Sequence, residues 1–151
     1  YVGTLCRLLG GVPIPRGDVH FDSLKEGCLE AFRRGKRIHF YPEGECYLYN
    51  ASPKKFHPGA FFLSAALDVP VIPMATVFHK RRCRPTVHLH VLEPVHPSDY
   101  NVRQEDGSID QQALRQYMDA VRQMIADKIR QEQGIGMYYK GAMDRIRGIN
   151  D

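Results

Sequence analysis

The sequence predicts an α/β fold with a central mixed sheet flanked by helices, and with a long helix near the C-terminus. Segments of helical and strand periodicity alternate through residue 77, which is typical of this class. Apolar residues then recur on one stripe over residues 114–129, as in a long amphipathic helix. A chain of 151 residues with 43% hydrophobic and 25% charged residues suits a single globular domain over residues 1–151.

Three helices are predicted, over residues 22–34, 58–67 and 108–133, the last within a helical C-terminal extension over 108–151. A capping box of Ser23 and Glu26 opens the first helix, and Gly35 closes it. The second helix starts at a proline, which suits a first helical turn. Ser108 and Gln111 form a second capping box that predicts the start of the long helix.

Three strands are predicted, over residues 37–41, 69–77 and 86–92. The first is short, aromatic and β-branched, and Pro42 and Gly44 stop it, so Glu43 lies in a loop. Two prolines interrupt the second strand, which is therefore short or kinked. In the third, His88 and His90 share one face, because side chains alternate along a strand.

The charge is +4, with a pI near 8.9, and much of the excess is concentrated in two clusters. The clusters are Arg33, Arg34, Lys36 and Arg37, and Lys80, Arg81, Arg82 and Arg84. They suit lipid headgroups or phosphate substrates, although solvated loop charges are the alternative. No aromatic residues alternate with them as in a base-stacking surface, which argues against nucleic acid. The four cysteines show no zinc or disulfide spacing, which favours reduced thiols in the cytosol.

The first candidate binding segment delivers Arg16 beside Gly17 after a glycine-rich turn. Arginine donates bidentate hydrogen bonds to phosphate, and glycine leaves space for an approaching anion. The alternative is a structural ion pair between Arg16 and Asp18.

The second candidate segment is the loop that carries Glu43 and Gly44. The carboxylate could orient a substrate hydroxyl, and the Gly44 amide could approach a ligand closely. The alternatives are a turn in which Glu43 caps nearby amides, or a metal site of His39, Glu43 and Glu45. The break in the strand at Pro42 argues against the metal site.

The third candidate segment places Lys54 and Lys55 just before the second helix. Free amides and the helix dipole add there to the attraction that lysines exert on an anion. The apolar run that follows, residues 69–77, is plain core or an acyl-chain contact.

These segments, in this order, resemble the acyltransferase family that includes the lysophosphatidic acid and glycerol-3-phosphate acyltransferases. The resemblance rests on the glycine-rich stretch ending in Arg16, the Pro-Glu-Gly loop at 42–44, the lysine-bearing start of the second helix and the Val-Pro-Val-Ile-Pro run at 69–73. It spans about residues 5–95. The ordered set is far more specific than any single segment.

The resemblance implies a glycerol-3-phosphate acyltransferase-like fold and transfer of a fatty acyl group from acyl-CoA or acyl-ACP to a lysophospholipid hydroxyl, namely that of 1-acylglycerol-3-phosphate, in phospholipid biosynthesis. By position, Arg16 matches the family's phosphate-contacting arginine, and Glu43 and Gly44 match its Pro-Glu-Gly loop. The reasoning from the residues themselves adds Gly17, Lys54 and Lys55 to the predicted substrate-binding set. The resemblance implies no metal and no cofactor beyond the thioester co-substrate. The expected location is the cytoplasmic face of the cell membrane, in peripheral contact with anionic lipid.

The family's catalytic His-x-x-x-x-Asp motif, in which histidine acts as general base, does not occur in the 151 residues. We expect it upstream of Tyr1, so this chain alone should transfer little acyl group. Cys46 stands where the family often has a second phosphate-binding arginine, which puts a phosphate acceptor in question. The alternatives are an acyltransferase for a non-phosphate acceptor and a non-catalytic module that binds anionic lipid.

Overall fold

A computed structural model describes residues 21–44, 52–79 and 86–132 of the protein. The chain divides into two compact units, Tyr1–His39 and Phe40–Asp151. The described elements confirm the α/β class, with helices, a small sheet and a long C-terminal helix. The assignment of residues 1–151 to one domain stays a prediction.

The first unit contains helix α1, Phe21–Arg33. Its end is as predicted: Gly35 has φ +69°, and the amides of Gly35 and Lys36 donate to Phe32 and Ala31 at 2.8 and 2.9 Å. The left-handed conformation of Gly35 lets these two amides form hydrogen bonds with carbonyls that the helix end would otherwise leave unsatisfied. The predicted capping box is wrong, because the helix already begins at Phe21 and Ser23 lies inside its first turn.

The second unit contains helix α2, Gly59–Leu67, a 3₁₀ helix, Pro97–Tyr100, and helix α3, Gln111–Gln131. Asp110 caps α3, since its side chain accepts the Ala113 amide at 2.7 Å. The prediction of Ser108 as the cap is therefore wrong by two residues. Within the described ranges, no helix is both long enough and apolar enough to cross a bilayer.

The sheet in the described part of the chain is one antiparallel pair, β1 at Met74–His79 and β2 at Thr86–Val91, where a mixed sheet was predicted. Val77 pairs with His88, and Ala75 with His90. The strand predicted over residues 37–41 is wrong, because residues 36–41 belong to no helix or strand. An extended, β-branched segment becomes a strand only where a neighbouring strand completes its hydrogen bonds.

The main core of the second unit lies between α2, the segment around the 3₁₀ helix and α3. Its buried residues are Phe56, Phe61, Ala65, Val95, Val102, Leu114, Tyr117 and Val121. The Phe61 ring meets the Tyr117 ring almost perpendicularly, with centroids 5.5 Å apart. Burial of each large apolar side chain here contributes about 1.5–3 kcal/mol, which holds α2 and α3 together.

The two faces of the sheet differ sharply in exposure. One face packs Ala75 and Val77 on Ile129 of α3. By the strand register, His88 and His90 lie on this same face, so the prediction that they share a face is confirmed. The opposite face of β2 carries exposed Val87, Leu89 and Val91, which are 59%, 56% and 65% exposed.

Candidate functional site

The Pro-Glu-Gly segment forms a tight turn at the start of the second unit. The Gly44 amide donates to the Tyr41 carbonyl at 3.1 Å, and Gly44 has φ +66°. Glycine suits this position because a side chain strains the backbone in the left-handed region. The turn directs the half-buried Glu43 toward the loop that precedes α2.

Two hydrogen bonds hold this turn against the loop before α2, which we call the lysine loop and define as residues 53–57. Glu43 Oε2 accepts the Lys54 amide at 2.8 Å, and the Pro42 carbonyl accepts the His57 amide at 2.7 Å. A Cβ atom at Gly44 would lie 3.0 Å from the His57 ring, so glycine also permits the close approach. Two segments separated by eight residues in sequence therefore meet in one site.

Phe56 anchors the lysine loop in the core. Its side chain is 3% exposed and stacks on Phe61 of α2 with centroids 5.9 Å apart. Next to Phe56, Lys55 is exposed, while Lys54 is half-buried. The loop thus presents lysines to solvent from a backbone that is fixed at both the Glu43 and the Phe56 contacts.

An open groove of about 610 Å³ separates the lysine loop from α3. Its lining consists of Pro53, Lys54, Lys55, Phe56, Arg115, Met118, Asp119 and Arg122. Four of these side chains are cationic and one is a carboxylate, so the groove attracts anions. We call it the basic groove.

Behind the lysine loop, a buried hydroxyl network joins α2 to α3. The Tyr117 hydroxyl donates to the Val95 carbonyl at 3.0 Å and lies 3.1 Å from Ser64 Oγ, which donates to the Val69 carbonyl at 2.6 Å. Burial raises the pKa of the Tyr117 phenol, so it stays protonated and able to donate. The network ties the second half of α2 to α3.

Comparison with known families identifies the chain. The family model described as Acyltransferase matches residues 1–77, just over half of the 151 residues. The chain belongs to the acyltransferase family. The match covers α1, the Pro-Glu-Gly turn, the lysine loop and α2, and it ends within β1. A search of curated proteins and a search of solved structures found no match.

The structure of this acyltransferase brings together four of the six residues that the sequence assigned to substrate binding. Glu43 and Gly44 form the turn, and Lys54 and Lys55 belong to the loop that the turn contacts. Arg16 and Gly17 lie outside the described residues, so their part in the site stays a prediction, as do the substrate roles of the other four.

In the structure the Glu43 carboxylate caps a backbone amide, which is the alternative that the sequence analysis gave to substrate binding. One carboxylate oxygen binds the Lys54 amide, and a hydrogen bond to a charged acceptor is worth about 1.5–3 kcal/mol. Glu43 thereby positions the lysine loop of the acyltransferase. Among the residues that the structure describes, no group of three His, Cys, Asp or Glu side chains is arranged to hold a metal ion.

Sequence reasoning missed the contribution of α3 to the basic groove. No role was predicted for Arg115 and Arg122 from the sequence, and they follow Lys55 by 60 and 67 residues. A signal was present, because residues seven apart lie on one face of a helix after two turns. Nothing in the spacing indicated which loop that face would meet.

Proposed function

We propose that this acyltransferase moves a fatty acyl group from an acyl thioester, acyl-CoA or acyl-ACP, to a hydroxyl of a lysophospholipid such as 1-acylglycerol-3-phosphate. Its place would be phospholipid biosynthesis. The observation that carries the proposal is the 2.8 Å hydrogen bond between Glu43 and the Lys54 amide. It joins the Pro-Glu-Gly turn to a cationic loop inside the segment that matches the family.

Charge at this place supports an anionic substrate. Lys54 and Lys55 line the basic groove together with arginines of α3. Both the phosphate of a lysophospholipid and the phosphates of coenzyme A would be attracted there, and neither neutral acceptors nor cations would be. Cys46 in place of arginine favours the second candidate, an acyltransferase whose acceptor lacks phosphate.

Peripheral contact with the cytoplasmic face of an anionic membrane belongs to the same proposal. Arg33, Arg34, Lys36 and Arg37 are all exposed around the end of α1. Arg34 pairs with Glu30 at 2.8 Å, and both side chains remain well exposed. A basic residue near anionic lipid contributes about 1 kcal/mol to membrane binding, so such a cluster can support a peripheral association.

The proposal is tested with the full-length protein, including any native sequence before Tyr1. Thiol release from acyl-CoA and from acyl-ACP is followed with 1-acylglycerol-3-phosphate, lysophosphatidylcholine and monoacylglycerol as acceptors. Release that depends on 1-acylglycerol-3-phosphate supports the proposal, and release only with monoacylglycerol supports a non-phosphate acceptor. Binding to anionic vesicles with no thiol release from any pair identifies a lipid-binding module and overturns the enzyme assignment.

A further inference from the structure

Three histidines lie together on the face of the sheet that packs against α3. They are His79 of β1 and His88 and His90 of β2, and we call them the histidine cluster. The ring centroids of His79 and His88 are 4.7 Å apart, and those of His88 and His90 are 6.4 Å apart. The same face packs on Ile129 near the end of α3. The acyl transfer proposed above gives these histidines no role.

Two ring nitrogens of the histidine cluster are buried without a hydrogen bond. His79 Nε2 and His90 Nε2 have no partner among the described residues. Most buried polar atoms in proteins are hydrogen-bonded, because an unpaired one costs free energy. An imidazole nitrogen that faces an acceptor gains a partner when a proton makes it a donor.

The end of α3 presents one carboxylate to the histidine cluster, that of Glu132. Its Oε1 accepts a hydrogen bond from Lys128 Nζ at 2.6 Å. Its Oε2 lies 4.0 Å from His90 Nε2, which is longer than a hydrogen bond. An unprotonated ring nitrogen and a carboxylate oxygen are both acceptors, so they do not bond to each other. A protonated His90 ring would donate to this oxygen.

His90 is the member of the cluster that gains most from a proton. In the part of the chain that the structure describes, it alone of the three lies within 4.0 Å of a carboxylate. The other charged or titratable groups around it are His88, His79 and the Lys128 ammonium. Once His90 is charged, repulsion opposes a second proton on the neighbouring rings. One proton on His90 is therefore the favoured charged state.

We propose that His90 and Glu132 form a latch that closes in mild acid and fastens β2 to the end of α3. A proton from solvent makes Nε2 of His90 a charged donor, and the 4.0 Å gap to Glu132 Oε2 closes to the length of a hydrogen bond. Both side chains are largely shielded from solvent, at 24% and 28% exposure, which favours a direct contact. The latch does not depend on the acyl transfer proposed above.

The pH range of the latch follows from its two partners. The folded state holds the His90 proton beside a carboxylate and the unfolded chain does not, so the latch adds stability as the pH falls through the range in which histidine titrates, about pH 8 to 5. The hydrogen bond from Lys128 and the charges of Lys128, His90 and His79 lower the pKa of the Glu132 carboxyl. Glu132 therefore stays charged over that range, and the latch opens again only in stronger acid.

A double-mutant cycle of His90→Gln and Glu132→Gln in the full-length protein tests the latch, by urea unfolding at about pH 5.5 and about pH 8. Glutamine keeps polar groups at each position but takes up no proton. The two positions should be coupled about fivefold in the unfolding equilibrium constant at the lower pH, and less than about twofold at the higher pH. The ¹⁵N shift of His90 Nε2 at the lower pH should report a protonated, hydrogen-bonded nitrogen in the wild type and lose the hydrogen-bond signature in Glu132→Gln.

His88→Gln is the matched control. His88 lies on the same strand and the same face, two residues before His90, and has no carboxylate within 4.0 Å in the described ranges. Its coupling to Glu132 should stay below about twofold at both pH values. His79→Gln should show a coupling between those of His90 and His88, because the charge of His79 acts on Glu132 less than that of His90.

Three results would overturn the latch. These are equal coupling of His88 and His90 to Glu132, a coupling of His90 to Glu132 that is the same at both pH values, and a His90 Nε2 without a hydrogen bond at the lower pH. The last measurement does not depend on how far any variant is destabilised. A latch found in a protein that transfers no acyl group would leave the latch standing and count only against the proposed function.

Discussion

Position 44 favours glycine for two reasons: the backbone is left-handed, and the His57 ring lies close to it. Its φ is +66°, and an added Cβ would lie 3.0 Å from two atoms of the His57 ring. We predict that Gly44→Ala lowers the free energy of unfolding by about 1–2 kcal/mol, the usual cost of a left-handed alanine. It should also displace the His57 ring, which NMR chemical shifts of that ring would detect.

Gly35→Ala separates these two effects. Gly35 has φ +69°, but nothing lies within 4 Å of its added Cβ. Gly35→Ala should therefore carry a similar backbone cost and leave the His57 resonances in place. Unmoved His57 resonances in Gly44→Ala would contradict the close packing of the turn on the lysine loop.

Glu43 is a positioning residue for the lysine loop, and its contact can be measured at a single amide. Glu43→Ala removes the acceptor of the Lys54 amide, and loss of such a partner costs about 1–3 kcal/mol. We predict that hydrogen exchange of the Lys54 amide accelerates strongly in Glu43→Ala and less in Glu43→Gln, which keeps a carbonyl oxygen. Unchanged Lys54 exchange in Glu43→Ala would remove this role.

At the scale of elements, the contact between α2 and α3 depends on a hydroxyl at a fully buried position. Tyr117 is 0% exposed, and its hydroxyl donates a hydrogen bond to the Val95 carbonyl and contacts the Ser64 hydroxyl. Tyr117→Phe keeps the ring but removes the hydroxyl, while the Val95 carbonyl keeps the Val71 amide and Ser64 keeps the Val69 carbonyl. We therefore predict a loss of about 0.5–1.5 kcal/mol in urea unfolding, the net worth of a hydrogen bond. Tyr100→Phe is the control, because the Tyr100 hydroxyl has no hydrogen bond in the described residues. Equal losses in both variants would contradict the account.

The end of α3 has a pH-dependent contact. Lys128 Nζ donates to Glu132 Oε1 at 2.6 Å, and this hydrogen bond lowers the pKa of the Glu132 carboxyl below its ordinary value. A lowered carboxyl pKa contributes stability above the unfolded-state pKa, and that stability is lost as the pH falls through the folded-state pKa. We predict that Glu132→Gln lowers the melting temperature at pH 7 but not in acid below the folded-state pKa.

Glu105→Gln provides the comparison for this helix-end contact. Glu105 is exposed and forms no ion pair within the described part of the chain. Its substitution should leave the melting temperature unchanged at both pH values. A difference between Glu132→Gln and wild type that persists unchanged in acid would contradict the assignment to the carboxylate.

At the scale of the whole molecule, the sequence correctly predicted the helix ends and helices that depend on local residue patterns. The Pro58 start of α2, the Gly35 end of α1 and the long α3 follow from proline, glycine and periodicity. The wrong predictions concern features that depend on a contact with a second segment of the chain. Residues 37–41 look like a strand, yet a strand requires a ladder partner that no local pattern specifies.

The sequence likewise predicted only part of the candidate site. The Pro-Glu-Gly turn and the lysines were recognisable from their order along the chain, and they lie within the residues 1–77 that match the acyltransferase family. The bond from Glu43 to the Lys54 amide and the placement of Arg115 and Arg122 opposite Lys55 depend on tertiary packing. Sequence spacing carries no information about which surfaces of two distant segments meet.

Acyl transfer by this protein is tested most directly by following the fate of the acyl group. Full-length protein is incubated with isotope-labelled acyl-CoA and 1-acylglycerol-3-phosphate, and mass spectrometry quantifies labelled diacylglycerol 3-phosphate, free fatty acid and free coenzyme A. We predict that labelled diacylglycerol 3-phosphate forms in an amount equal to the coenzyme A released. Coenzyme A release matched by free fatty acid, or no label in any lipid acceptor, would contradict it.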